Sequence, residues 1–148
     1  MPEPIIELLR AFGGAFLGAV GFAMLVHVPG RSLLPSGMIA GMSYAVYWAA
    51  AWLGLPDPAA IFIGSLFGAL SGHICARRMK TIRTIFLMSA IVPVVPGLAL
   101  YRMMAYLGSG DTLDGANLGI QAMITIAMIT LGLAMGAFLY RVIHRKTN

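Results

Sequence analysis

Pro93, Pro96 and Gly97 carry the strongest chemical implication in this sequence, because they stand in the middle of the uncharged run Thr84–Tyr101. Pro93 cannot donate to the carbonyl of Ser89, nor Pro96 to that of Val92, so a helix through this run is expected to break into two half-helices. Unwound backbone at membrane depth is tolerated only where protein or a water-filled cavity satisfies it. The half-helix starting near Gly97 would aim its positive end and the N–H groups of Gly97, Leu98 and Ala99 at a carboxylate, with Tyr101 close behind. Carbonyls freed in the first half could coordinate a cation or a proton carrier. The competing reading of the same residues is a structural kink.

Asn117, Gln121 and Thr125 follow at i, i+4 and i+8 of a later run, which puts them on one helical face. Buried amides seldom face lipid, so this face is expected to look at a partner helix or a cavity. It would add polar contacts to a substrate at the break if the two segments pack together; interhelical hydrogen bonding is the plainer alternative. His27 and His73 lie near the ends of their runs and read as interfacial histidines, with proton transfer left open. Cys75 is the sole cysteine, and His73 has no further ligands at metal-site spacing, so neither a disulfide nor a metal is expected. No catalytic motif is visible, and no Asp, Glu, Lys or Arg lies within any long apolar run. Enzyme activity and a cofactor are therefore not expected.

The elements that must position these residues follow from composition. Of 148 residues, 59% are hydrophobic and only 10% charged, against roughly 25% charged in soluble domains. The mean hydropathy is +0.88. So few charges cannot cover a soluble globule of this size, and so apolar a chain is not disordered. Five uncharged runs appear: Ala11–Gly30, Ser32–Pro56, Pro58–Ala76, Thr84–Tyr101 and Gly115–Tyr140, of 20, 25, 19, 18 and 26 residues. Each is near or above the roughly 20 residues of a spanning helix. The expected fold is an all-α integral membrane protein, a single transmembrane domain over residues 1–148. Its five spans run at about 8–29, 32–55, 58–76, 83–107 with the break at 93–97, and 115–140. A β-barrel would alternate apolar and polar residues, and these runs do not.

Charge placement gives direction. Arg10 and Arg102 fall on one side, while Arg31, Arg77, Arg78, Lys80, Arg83, Arg141, Arg145 and Lys146 fall on the other. The positive-inside rule then places the N-terminus outside and the C-terminus in the cytoplasm. Met1–Arg10, with Glu3 and Glu7, is not a basic leader, so no secretory signal is expected. Asp57-Pro58 reads as an N-cap and first-turn proline for span 3. Trp48, Trp52, Tyr101, Tyr106 and Tyr140 fit an aromatic belt at span ends. Glycines four apart recur at Gly14 and Gly18, Gly37 and Gly41, Gly64, Gly68 and Gly72, and Gly132 and Gly136. Such stripes let helices approach closely, in the plainer reading within the chain and in the sharper one against another subunit, for which span 3, with the longest stripe, is the best candidate.

Three stretches resemble the threonine/serine exporter (ThrE) family: Gly21-Phe-Ala-Met-Leu-Val-His-Val-Pro29-Gly-Arg31, the central Pro93-Val-Val-Pro96-Gly97 with Tyr101 following, and Leu139-Tyr140-Arg141. The resemblance covers nearly the whole chain and is to the short, YjjB-like subunit that corresponds to the second half of fused exporters. It implies a bacterial inner (plasma) membrane protein that exports small carboxylates, either threonine/serine-type amino acids or succinate-type dicarboxylates. It also implies a YjjP-like companion subunit with five spans of its own. A companion of opposite orientation would complete an inverted-topology 5+5 pair, an arrangement that places the substrate site between the repeats. A homo-oligomeric channel and a non-transporting membrane scaffold are the other classes that the residues allow.

Overall fold

Long apolar segments punctuated by proline, glycine and charge fold here as six helices: α1 (Pro4–Leu25), α2 (Gly30–Trp52), α3 (Asp57–Met79), α4 (Arg83–Ile91), α5 (Gly97–Ser109) and α6 (Thr112–Arg145). A computed structural model describes residues 4–145. Glu3 and Lys146, both used in the charge reading, lie outside the described residues, as does the side chain of Arg145. No strand occurs among the described residues. Three segments are long and apolar enough to cross a membrane: Ile5–Leu25, Asp57–Met79 and Thr112–Ile143. The 23-residue α2 matches α3 in length and buries Ser32, Ser36 and Ser43.

Glycine decides how the helices meet. Gly37 of α2 faces Phe16 and Val20 of α1, and Gly41 faces Phe12, so these helices pack antiparallel with aromatic rings lying on bare backbone. A Cβ on Gly64 of α3 would lie 2.9 Å from the Cβ of Tyr47 and 3.1 Å from the carbonyl oxygen of Ser43, both on α2. The same close approach lets the Ser43 hydroxyl donate to the Gly64 carbonyl at 2.8 Å. Gly68 meets Ser43 and Ala90, and Gly72 meets Phe86 of α4. The glycine stripe of α3 is thus used inside the chain, as the plainer reading has it, and lets α2 and α4 both reach α3 at backbone distance. On α1, by contrast, a Cβ at Gly14, Gly18 or Gly21 would meet nothing within 4 Å.

α3 and α6 run parallel. Ile61 packs with Ile129, Gly132 sits on Ser65, Phe62 and Leu66, and Gly136 on Ala69, Leu66 and Leu70. One turn further, the ring of His73 lies 5.0 Å from that of Tyr140. Both are only 5% exposed. His73 is therefore an interior residue rather than an interfacial one; its Nδ1 lies 2.8 Å from the Ala69 carbonyl oxygen, which requires that nitrogen to carry the proton. Tyr140 likewise leaves the aromatic belt and joins this contact, with the Arg83 guanidinium 5.8 Å from its ring centre. The physical reason is the parallel register: the two helices carry these rings to the same level on facing sides.

The register also sets heights. α3 begins at Asp57, level with about Thr125 of α6, so some 13 residues of α6 project beyond α3, roughly 20 Å at 1.5 Å per residue. α5 packs on that projection and buries none of its own residues. Leu107 lies over Gly115 and Met103 over Gly119, an antiparallel pair. The reversal between them is closed by Gly110 at φ 93°, a left-handed cap that glycine adopts without strain. α5 and the first third of α6 therefore form a two-helix arm standing off the end of the bundle.

Candidate functional site

The segment between α4 and α5 is built by its two prolines. Val92 N–H still reaches the Met88 carbonyl at 3.2 Å, but Pro93 has no proton to continue the ladder. Val94 and Val95 both donate to Ile91, at 2.9 and 3.1 Å. Pro96, at φ −77° and ψ 54°, is the centre of an inverse γ-turn in which Gly97 N–H donates to Val95 at 2.8 Å. Leu100 then donates to Pro96 at 3.1 Å and α5 begins. The Gly97 N–H is thus already used by its own turn. Leu98 and Ala99 hold the first-turn donors of α5 that no backbone carbonyl takes among the described residues.

Height corrects a second expectation. α4 antiparallels α3, with Phe86 against Gly72 and Ala90 against Gly68, and Val94 arrives beside Ile61, one turn into α3. The turn at 92–96 therefore lies near the Asp57 end of the bundle, where the arm departs, and not midway along it. α4 has only nine residues, about 14 Å of helix, and the turn that follows it carries Val94 to the level of Ile61.

Two cavities adjoin this turn. One, of ≈ 270 Å³, is lined by Tyr44, Tyr47, Asp57, Ile61, Pro93, Val94, Pro96 and Thr125. The other, of ≈ 320 Å³, is lined by Arg10, Ala11, Gly14, Ala15, Tyr44 and Pro93. They meet at Tyr44 and Pro93, so the α2 tyrosine and the proline of the α4–α5 turn form a common wall. One cavity carries a carboxylate and two phenols, the other a guanidinium and the shared phenol of Tyr44.

Of the residues singled out in the sequence, Pro93, Pro96 and Thr125 are brought together on the first cavity. Gly97 and Leu98 are exposed just beyond it, Leu98 at 63%. A Cβ at Gly97 would meet nothing within 4 Å, so that glycine makes no close approach inside the chain. Tyr101 is 71% exposed on the arm. Asn117 and Gln121 share the helix of Thr125 but sit on the projecting part of α6, exposed and away from both cavities.

Arg10, Tyr44, Tyr47 and Asp57 are the lining residues that the motif reading left aside. Tyr44 and Tyr47 are three apart on α2, a same-face signal available in the sequence. Asp57 was assigned a capping task that it does not perform: Pro56 occupies the N-cap of α3, no side chain caps that end, and Asp57 is the first helical residue. Its carboxylate is left for the cavity. Among the described residues, no group of three His, Cys, Asp or Glu side chains could hold a metal ion.

Residues 11–141 match the family described as "Threonine/Serine exporter, ThrE". The chain is 30% identical over 128 residues to the threonine/serine exporter of Corynebacterium glutamicum, covering 86% of this chain and 26% of that protein. It is 27% identical over 139 residues to a probable threonine/serine exporter of Mycobacterium tuberculosis, covering 94% and 25%. An uncharacterized protein of Haemophilus influenzae is 25% identical over 145 residues, covering 92% and 48%. The chain therefore spans about a quarter of the length of the two exporters. No solved structure matches it.

Proposed function

The chain belongs to the threonine/serine exporter family, and from that premise we propose that it is one membrane unit of a secondary transporter that exports small carboxylates. The observation that carries this reading is the pair of adjoining cavities at the Pro93–Pro96 turn, one lined by a carboxylate and the other by a guanidinium. The relatives' names supply the substrate class: threonine and serine are what those proteins are named for exporting. Whether an amino acid or a succinate-type dicarboxylate is carried here is a question of charge at the cavity walls.

In this reading α1, α2, α3, the interrupted α4–α5 segment and α6 are the five crossings, and the end of the bundle that bears the arm faces outward from the bacterial inner membrane. Support comes from the cations. Arg31, Arg77, Arg78, Lys80, Arg83 and Arg141 belong to the helix ends and loops at one end of the bundle, opposite to the arm. The N-terminus is then outside and the C-terminus cytoplasmic.

A YjjP-like companion membrane unit completes the carrier. The arm supports it, leaving Leu98, Tyr101, Met104, Leu113, Ile120 and Met123 exposed beside the amides of Asn117 and Gln121. An apolar surface interleaved with amides suits a protein partner better than hydrocarbon or water. The test is efflux of labelled threonine and succinate from proteoliposomes holding this chain with and without the companion. Saturable efflux only from the pair is the expected result. Equal efflux from this chain alone removes the companion, and no efflux from either preparation removes the transport reading.

A further inference from the structure

We propose that Arg10 and Asp57 are the two charge poles of the substrate site, with Arg10 receiving a carboxylate and Asp57 an ammonium group, so that the site selects a zwitterion over a dianion. The inference rests on the transport reading above and adds to it the residues that set selectivity.

The geometry is that of two adjoining cavities with one charge each. Asp57 is the sole ionic side chain on the cavity that holds Tyr47, Pro96 and Thr125. Arg10 is the sole ionic side chain on the other. Tyr44 and Pro93 belong to both, so a ligand lying against them has a cation on one side and an anion on the other. Neither charge is committed elsewhere: among the described residues, Asp57 caps no helix and forms no ion pair, and Arg10 has no acidic partner. Both side chains are exposed and so accessible from outside the chain, and a ligand of matching polarity gives each a charge-assisted hydrogen bond at once. A dicarboxylate would satisfy Arg10 and place its second carboxylate toward Asp57, a like-charge juxtaposition that opposes binding.

The elements hold the poles in place. Pro56 at the N-cap and Pro58 in the first turn fix the start of α3, and with it the position of Asp57. Arg10 sits in the second turn of α1, whose packing on α2 through Phe12 and Phe16 sets its distance from Tyr44.

The experiment measures efflux of labelled threonine and labelled succinate from cells of the native host, with Asp57→Asn, Asp57→Glu and Arg10→Gln introduced one at a time and membrane abundance measured for each. The expected wild-type behaviour is a preference for threonine. Asp57→Asn should lower the threonine-to-succinate ratio by roughly tenfold, the scale of losing a hydrogen bond to a charged group. Asp57→Glu should restore most of it, and Arg10→Gln should depress both fluxes. A ratio unchanged by Asp57→Asn at normal abundance overturns the assignment. So does loss of both fluxes in Asp57→Asn without rescue by Asp57→Glu, which would mark Asp57 as structural. Absence of both fluxes in the wild type removes the transport reading and the assignment with it, whereas a wild-type preference for succinate overturns the assignment alone.

Discussion

At the scale of single residues, the two prolines act through what they cannot donate. Pro93 ends the α4 ladder and Pro96 shapes the γ-turn that closes on Gly97. Replacing both with Ala supplies two N–H groups and permits α4 to continue through the turn, which would carry α5 off α6 and collapse the wall shared by the cavities. Efflux of labelled threonine is expected to fall at least tenfold in Pro93→Ala/Pro96→Ala while membrane abundance stays near normal. Normal efflux from that variant would reduce the turn to an ordinary kink. Gly97→Ala is the contrasting case. Its added methyl meets no atom within 4 Å, so assembly should be unaffected, and any effect on efflux must come from outside this chain. These residues were conspicuous in the sequence because proline chemistry is local. Tyr44 and Asp57 were not, because nothing nearby in the chain says that their helices end against the same turn.

Helix by helix, stability is concentrated where glycines bring α3 against α2, α4 and α6. A side chain at Gly132 collides with Ser65, and one at Gly136 comes within 2.6 Å of the Ala69 Cβ. Gly132→Val is therefore expected to destabilise the bundle by about 1–3 kcal/mol, the usual range for overpacking, seen as a lower melting temperature in detergent. Gly18→Ala, at an open position on α1, should leave that temperature unchanged. Ser43→Ala removes the 2.8 Å bond to Gly64 and should cost about 0.6 kcal/mol, the average for interhelical side-chain bonds in membranes. A larger loss for Gly18→Ala than for Gly132→Val would contradict the packing described. The four-residue spacing announced that these helices would pack closely. Which stripe would be used inside the chain could not be read from spacing, since Gly14 and Gly18 repeat as regularly as Gly64 and Gly68 and only the latter are covered.

For the whole molecule, the parallel α3–α6 pair has the largest consequence. It puts the start of α6 roughly 20 Å beyond the bundle and leaves α5 with no partner but α6. Single cysteines in a Cys75→Ser background test where that arm lies. A cysteine at Ser109, at the end of α5, should react with a membrane-impermeant reagent in intact cells, and one at Lys80, between α3 and α4, only after lysis. The opposite pattern would reverse the orientation. A cysteine at Gln121 should cross-link to the companion unit if the arm is the docking element, and fail to do so if lipid covers it.

Composition and run length were enough to establish a helical membrane protein, because satisfying backbone groups in hydrocarbon leaves few alternatives to helices and apolar length is additive along the chain. The Pro93–Pro96 interruption was visible for the same reason: a missing donor is a property of one residue. Height and partnership were not. That the turn lies at the end of the bundle follows from the levels at which Gly68 meets Ala90 and Ile61 meets Val94. That His73 and Tyr140 are interior follows from the parallel register of α3 and α6. That Arg10 and Asp57, 47 positions apart in the chain, flank the same tyrosine follows from three helices converging. Each depends on which faces meet, and a helical sequence repeats its faces every 3.6 residues without saying which neighbour will cover them.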